Sequence, residues 1–202
     1  MNSNEIAGFG DNSSATLVKQ ADFNETVGME GHFVAKCYDK DGNLKWEDEI
    51  NNLVMAVGKQ LMLDTLLAGS SYTATVVMGL VSGASSPTYA AADTQSSHAG
   101  WLESGSANAP TYSSTRKTPA FSAATSSGST PSNVTTKTTS AAVAFTFTGS
   151  GTVAGCFINI NGSSTIDNTT GTLYSAGSFT GGNKTVASTD QLNVTYSTTA
   201  TS

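Results

Sequence analysis

The stretch Asp39-Lys40-Asp41-Gly42-Asn43 opens like a calcium loop, with carboxylates at alternate positions that could converge on one cation. An EF-hand loop needs Gly at its sixth position and Glu at its twelfth, where this chain has Leu44 and Ile50, so the segment reads as a hairpin turn. Glu47, Asp48 and Glu49 follow, and in a strand Glu47 and Glu49 share a face, the arrangement a general-acid pair would need. No His, Arg or second acidic cluster converges on them in sequence, which favours a solvated or partner-facing edge. His32 and His98 are the only histidines, and no Gly-x-Ser-x-Gly elbow accompanies either, so serine hydrolysis is disfavoured. The two histidines and the two cysteines, Cys37 and Cys156, lie on different elements without zinc-ligand spacing, and the thiols read as buried and free. After Asp64 only Asp93, Glu103, Asp167 and Asp190 are acidic. A glycosidase needs two carboxyl groups about 5 to 10 Å apart, which makes a carbohydrate-active enzyme a remote reading. No cofactor motif, phosphate loop or metal set stands out.

Two segments suit contact rather than catalysis. In His98-Ala99-Gly100-Trp101 a Gly before a Trp lets the indole fold back onto a core or protrude towards a partner. Arg116-Lys117 is the only basic pair in the latter two-thirds, and could dock an acidic hairpin such as Glu47 to Glu49 of a neighbouring subunit or lie in a solvated turn.

The elements that carry these residues are written in the composition. Serine and threonine make up about 29% of the chain, charged residues 12% and hydrophobic residues 38%. Alternating segments such as Ala142 to Phe147 and Gln191 to Tyr196 mark a folded β protein rather than a disordered low-complexity chain. The net charge of −6 falls wholly within Met1 to Asp64. Nucleic acid is an unfavourable partner for such a chain, because that affinity rests on Lys and Arg. The acidic first third could meet a basic neighbour or simply be solvated. The absence of a basic-flanked apolar leader and of about eighteen consecutive apolar residues gives the expectation of no signal peptide and no membrane span, hence synthesis in a cytoplasm.

Residues 1–29 lack a sustained period and read as an extended arm; residues 30–202 read as one domain. Its expected parts are a hairpin over Gly31 to Ile50, a helix from Leu53 to about Leu67 capped by Asn51 or Asn52, and a buried strand over Ser70 to Leu80. Thr94 to Glu103 suggests a helical turn, Tyr112 to Phe121 a lone strand, and Ser122 to Thr139 a surface loop or irregular strand pair. Four strands should follow, over Ala141 to Thr148, Thr152 to Ile160, Thr172 to Phe179 and Thr185 to Ser197. The fold class is therefore mainly β, an antiparallel sandwich or jelly-roll-like body with one short helix.

The hairpin Tyr38 to Trp46 leading into Asn51-Asn52-Leu53-Val54, the Gly58 to Leu67 helix, and His98-Ala99-Gly100-Trp101-Leu102-Glu103 come in an order that resembles small β-rich capsid decoration (cement) proteins of tailed bacteriophages. The late segments Gly151 to Phe157, Gly171 to Phe179 and Leu192 to Tyr196 extend the likeness over roughly Gly31 to Ser197. The resemblance implies a non-enzymatic virion protein on the capsid surface that bridges subunits of the phage major capsid protein, acting as a homo-oligomer, with a trimer suggested by capsid geometry. An arm plus a rigid body would gain avidity against several subunits. On that reading Ile6, Phe9 and Phe23 of the arm, with Trp46, Glu47 and Glu49 of the hairpin, are the expected contacts, joined by Trp101, Arg116 and Lys117, and Trp46→Ala should leave capsids bare. The alternative is a head-fibre, tail-fibre or receptor-binding module displaying its Ser/Thr/Gly/Asn loops, although fibre repeats are absent.

Overall fold

A computed structural model describes residues 27–67, 72–98, 100–113, 115–127 and 134–201. Among these residues the protein is mainly β, with ten strands and a single short helix. The order is β1 (Gly28–Tyr38), β2 (Leu44–Val54), α1 (Ala56–Leu67), β3 (Val76–Ser82), β4 (Thr125–Ser127), β5 (Val134–Thr138), β6 (Val143–Thr146), β7 (Gly151–Ile160), β8 (Thr172–Ser178), β9 (Lys184–Val186) and β10 (Gln191–Thr201).

The first hairpin forms for the reason its sequence suggests. Phe33, Ala35 and Cys37 of β1 are fully buried while the residues between them are partly exposed. Within the turn Asp39 accepts the backbone N–H groups of Asp41 and Asn43, both at 2.9 Å. Gly42 has φ +83°, a left-handed conformation that glycine adopts without a Cβ penalty.

All pairings are antiparallel, and the sheet runs β3-β7-β8-β2-β1-β10-β5-β4, with β6 added to β10 and β9 to β7. β2 is the hinge of this arrangement: residues 44–52 pair with β1, whereas Leu53 and Val54 pair with Ala176 and Ser175 of β8. That crossover folds the sheet onto itself, so Phe33, Ile50 and Tyr196 share one core with Met78, Ile158 and Tyr174. Close approach at the crossover is possible because β8 and β7 carry glycines there. A Cβ on Gly155 would strike the Gly177 carbonyl, and one on Gly177 would strike Ile50 and Asn52.

The helix expectation is corrected at its start. Instead of capping a helix from Leu53, Asn51 and Asn52 continue β2, because Ile50, Asn52 and Val54 keep the period-2 burial of a strand. α1 begins after Met55, whose carbonyl accepts the Lys59 N–H at 3.0 Å. Further boundaries differ: the strand expected over Ser70 to Leu80 is observed as β3, from Val76 to Ser82. Thr94 to Glu103 is not a helical turn but carries the isolated bridges Thr94 to Ser97 and Val81 to Glu103. Over Tyr112 to Phe121 the described residues form no continuous strand and make single bridges instead, Thr115 to Thr165, Lys117 to Met78 and Phe121 to Thr139. The strand expected over Thr185 to Ser197 is divided into β9 and β10 by a turn in which Asp190 accepts the Ala187 N–H at 2.7 Å. Ser122 to Thr139 contains the strand pair β4 and β5.

Candidate functional site

Arg116 lies inside the protein, 3% exposed, and its guanidinium grips Glu103 with two bonds, Nε to Oε1 at 2.8 Å and a terminal nitrogen to Oε2 at 2.7 Å. It also donates to the carbonyls of Ser163 (2.9 Å) and Asn168 (2.7 Å), and its carbon plane lies 5.4 Å from the Phe157 ring centre. Glu103 Oε2 receives the Asp167 N–H as well, at 2.8 Å. Burial pushes the Glu103 carboxyl up and the Arg116 charge pulls it back. Four of the five guanidinium N–H groups and both carboxylate oxygens are bonded within the chain, which ties three loops together. The sequence places Arg116 where it could receive a neighbour's carboxylate; the structure gives it an internal one. Lys117 is half-buried, with its ammonium 5.9 Å from the Tyr112 ring centre.

Trp101 lies beside this pair, also 3% exposed, stacked on His98 at 3.7 Å and 5.3 Å from Phe157. Of its two sequence readings, core packing is the one that describes its position. Burial holds His98 below the usual histidine range. A pocket of about 150 Å³ adjoins Gln95, His98, Trp101, Glu103 and Asp167.

The acidic hairpin spends its charge within the chain. Glu47 pairs with Lys36 at 2.9 Å, Asp48 with Lys184 at 2.6 Å, Glu49 with His32 at 3.1 Å, and Lys45 reaches across to Asp190. Trp46 is half-buried, edge-on to Phe179 at 5.5 Å, and its indole N–H donates to the Thr185 carbonyl at 3.1 Å. Glu47 and Glu49 do share an exposed face, as strand alternation requires, but each already faces a basic side chain of β1. Ile6, Phe9 and Phe23 lie outside the described residues.

Among the described residues, exposed large apolar side chains cluster elsewhere, on α1. Gly58 is the buried residue of this helix, set against the Tyr174 backbone so closely that a Cβ would collide with it. Past it, Met62, Leu63, Leu66 and Leu67 are exposed by 38, 61, 78 and 81%. A helix resting on one face of a domain needs an apolar stripe on that face alone. The run Leu61-Met62-Leu63-Asp64-Thr65-Leu66-Leu67 is apolar well beyond one face, and that excess is the sequence signal for an outward-facing apolar surface. Met62 also walls an open groove of about 340 Å³ between the two limbs of the sheet, at the end where β1 begins.

Among the described residues no three His, Cys, Asp or Glu side chains gather as a metal set, and no helix is long and apolar enough to cross a membrane. Both cysteines are buried and free, with burial raising Cys37 to about 11 and Cys156 further still. No protein-family model, curated protein or solved structure matches the chain.

Proposed function

We propose that this chain is a structural protein of a tailed-phage virion, which attaches to the outer surface of the shell and bridges major capsid protein subunits. The observation that carries the reading is the leucine surface of α1: three leucines more than half exposed on a helix anchored to a rigid β body. An apolar patch held out of the core marks a contact surface, because exposing it to water costs about 25 cal/mol per Å². The chemistry-bearing groups point the same way, since Glu103 and Asp190 are each held by a cation and Asp93 is held by the Ala90 N–H. We take the end of α1 rather than the acidic hairpin as the attachment surface, because Glu47 and Asp48 are paired with Lys36 and Lys184 of the same chain while the α1 leucines are exposed. Oligomer formation on the shell would multiply a modest contact per copy into stable occupancy.

Co-sedimentation with purified phage shells tests this. Wild-type protein should pellet with shells at saturating, fixed stoichiometry, and the paired change Leu66→Glu and Leu67→Glu should cut occupancy at least tenfold while leaving the unfolding midpoint unchanged. Undiminished occupancy of that variant sinks the α1 assignment, and failure of the wild type to pellet with any shell sinks the virion reading.

A further inference from the structure

The buried Arg116 and Glu103 pair braces one wall of a pocket. Glu103 Oε2 accepts the Asp167 N–H at 2.8 Å and Arg116 donates to the Asn168 carbonyl at 2.7 Å, so the segment Asp167-Asn168-Thr169 is fastened to the body. Asp167 is held at φ +62°, a left-handed conformation that persists in a residue with a Cβ only where its surroundings fix it. This segment, with Gln95, His98 and Trp101, lines the pocket of about 150 Å³ beside the ion pair.

Two of these wall residues carry buried polar atoms that the chain does not bond. Gln95 and Trp101 are each 3% exposed, and Gln95 Oε1 and Trp101 Nε1 have no hydrogen-bond partner. Proteins bond nearly all their buried polar groups, so two such atoms on the wall of one small pocket point to a ligand that bonds there. A half-turn of the Gln95 amide offers that ligand either a donor or an acceptor.

The other groups define its chemistry. Asp167 is exposed and pairs with no cation among the described residues, and Glu103 adds a second carboxylate to the wall, which disfavours an anion. Glu103 is already gripped by Arg116, and a lone exposed carboxylate such as Asp167 holds a cation only weakly. Burial keeps His98 below the usual histidine range, so at pH 7 its ring is neutral, with one nitrogen donating and the other accepting. Asn168 Oδ1 is taken by the Thr170 N–H and hydroxyl, which leaves the Asn168 amide nitrogen as a donor beside the Thr169 hydroxyl. The result is a dense set of mainly neutral donors and acceptors around a space for one six-membered ring, since a cavity of about 150 Å³ accepts benzene. Sugar hydroxyls, each a donor and an acceptor, match such a set.

We propose that this pocket binds one uncharged sugar ring, a hexose standing free or at the end of a glycan. Asp167, Asn168 and Thr169 bond its hydroxyls from the exposed rim, and Gln95 and His98 from the buried side. The site is separate from the shell-binding surface, because none of these residues lies on α1.

The test uses the full chain labelled with ¹⁵N. It has two tryptophans, Trp46 and Trp101, whose two indole N–H signals are assigned by Trp46→Phe. Glucose, galactose, mannose, rhamnose, N-acetylglucosamine and N-acetylgalactosamine are titrated singly. At least one should move the Trp101 signal to saturation at millimolar concentration and leave the Trp46 signal in place. Asp167→Gly, which suits the left-handed backbone, and Thr169→Val should each raise the half-saturation concentration at least fivefold with an unchanged thermal midpoint. Methylammonium chloride and sodium phosphate serve as charged probes. A saturable Trp101 response to either of them and to none of the sugars would overturn the proposal in favour of a charged ligand. No saturable response to any sugar, or an affinity that both substitutions leave unchanged, would overturn it outright.

Discussion

At the scale of single residues, the protein places its strongest polar interactions where they hold loops together. Arg116 and Glu103 are thirteen positions apart and nearly inaccessible, and four acceptor atoms surround the guanidinium. Arg116→Met would leave Glu103 charged, buried and without its cation, a change that typically costs about 3–5 kcal/mol. Arg116→Lys should fall between the variant and wild type, because one ammonium cannot reproduce a planar fork that serves the carboxylate and two carbonyls at once. Equilibrium urea unfolding of the three proteins measures this, and a loss below about 1 kcal/mol for Arg116→Met would contradict the structural role. A second residue-scale outcome concerns Asp48, 10% exposed at its side chain. Burial acts to raise its pKa, but the Lys184 ammonium and the N–H groups of Glu49 (2.7 Å) and Gly181 (3.0 Å) together bring it below the ordinary 3.8. A depressed acid contributes stability that is present above the unfolded value and is lost as pH falls through the folded one. Asp48→Asn should therefore cost about 1–3 kcal/mol at pH 6, and the gap to wild type should narrow steadily below pH 3.8. A gap independent of pH between 6 and 2 would show that the carboxylate charge contributes nothing.

Elements were legible in this chain wherever one local rule governed them. Alternation at Phe33, Ala35 and Cys37 and the Asp39 to Asn43 turn follow from period-2 burial and turn chemistry, while β7 and β8 are short segments buried on both faces and bounded by turn residues. The start of α1 was hidden because Asn51-Asn52-Leu53-Val54 satisfies a helix N-terminus locally, while pairing with β8, more than 120 positions away, draws Leu53 and Val54 into the sheet. Thr185 to Ser197 reads as one strand because the break depends on Asp190, whose carboxylate answers Lys45 of a distant strand. The same distance dependence explains the candidate sites: Trp101 is placed by its neighbours His98 and Phe157, and Arg116 by a glutamate that no motif links to it. The crossover from β2 to β8 offers a test at this scale. Gly177→Ala would press a methyl group against Ile50 and Asn52 of β2 and force β8 and β2 apart. Overpacking of this kind costs about 1–3 kcal/mol. Thermal unfolding should report a clear loss, and an unchanged midpoint would mean that the two limbs are not in close contact at Gly177.

For the whole molecule, the decisive pairing joins the two ends of the described chain. β1 and β10 run side by side from Gly28 and Thr201 to Tyr38 and Gln191, eleven paired positions separated in sequence by 153 to 173 residues. β10 also carries β5 and β6, so the strand closest to the C-terminus supports three neighbours. Its inward residues Leu192, Val194 and Tyr196 are all 1% exposed or less and belong to the main core. Such long-range contacts have to be closed before they contribute, which places folding in the millisecond-to-second range typical of non-local β topologies. The same topology makes the domain indivisible. A chain ending at Asp190 keeps most of its local hairpins but loses the partner of β1, the attachment of β5 and β6, and three core side chains. It should show no cooperative unfolding transition in urea and should expose apolar surface to a dye, whereas the full chain should unfold in one step. If the shortened chain unfolded cooperatively with near-native stability, the limb built on β3, β7 and β8 would have to be a self-sufficient domain, and β10 an addition to it rather than the strand that closes the fold.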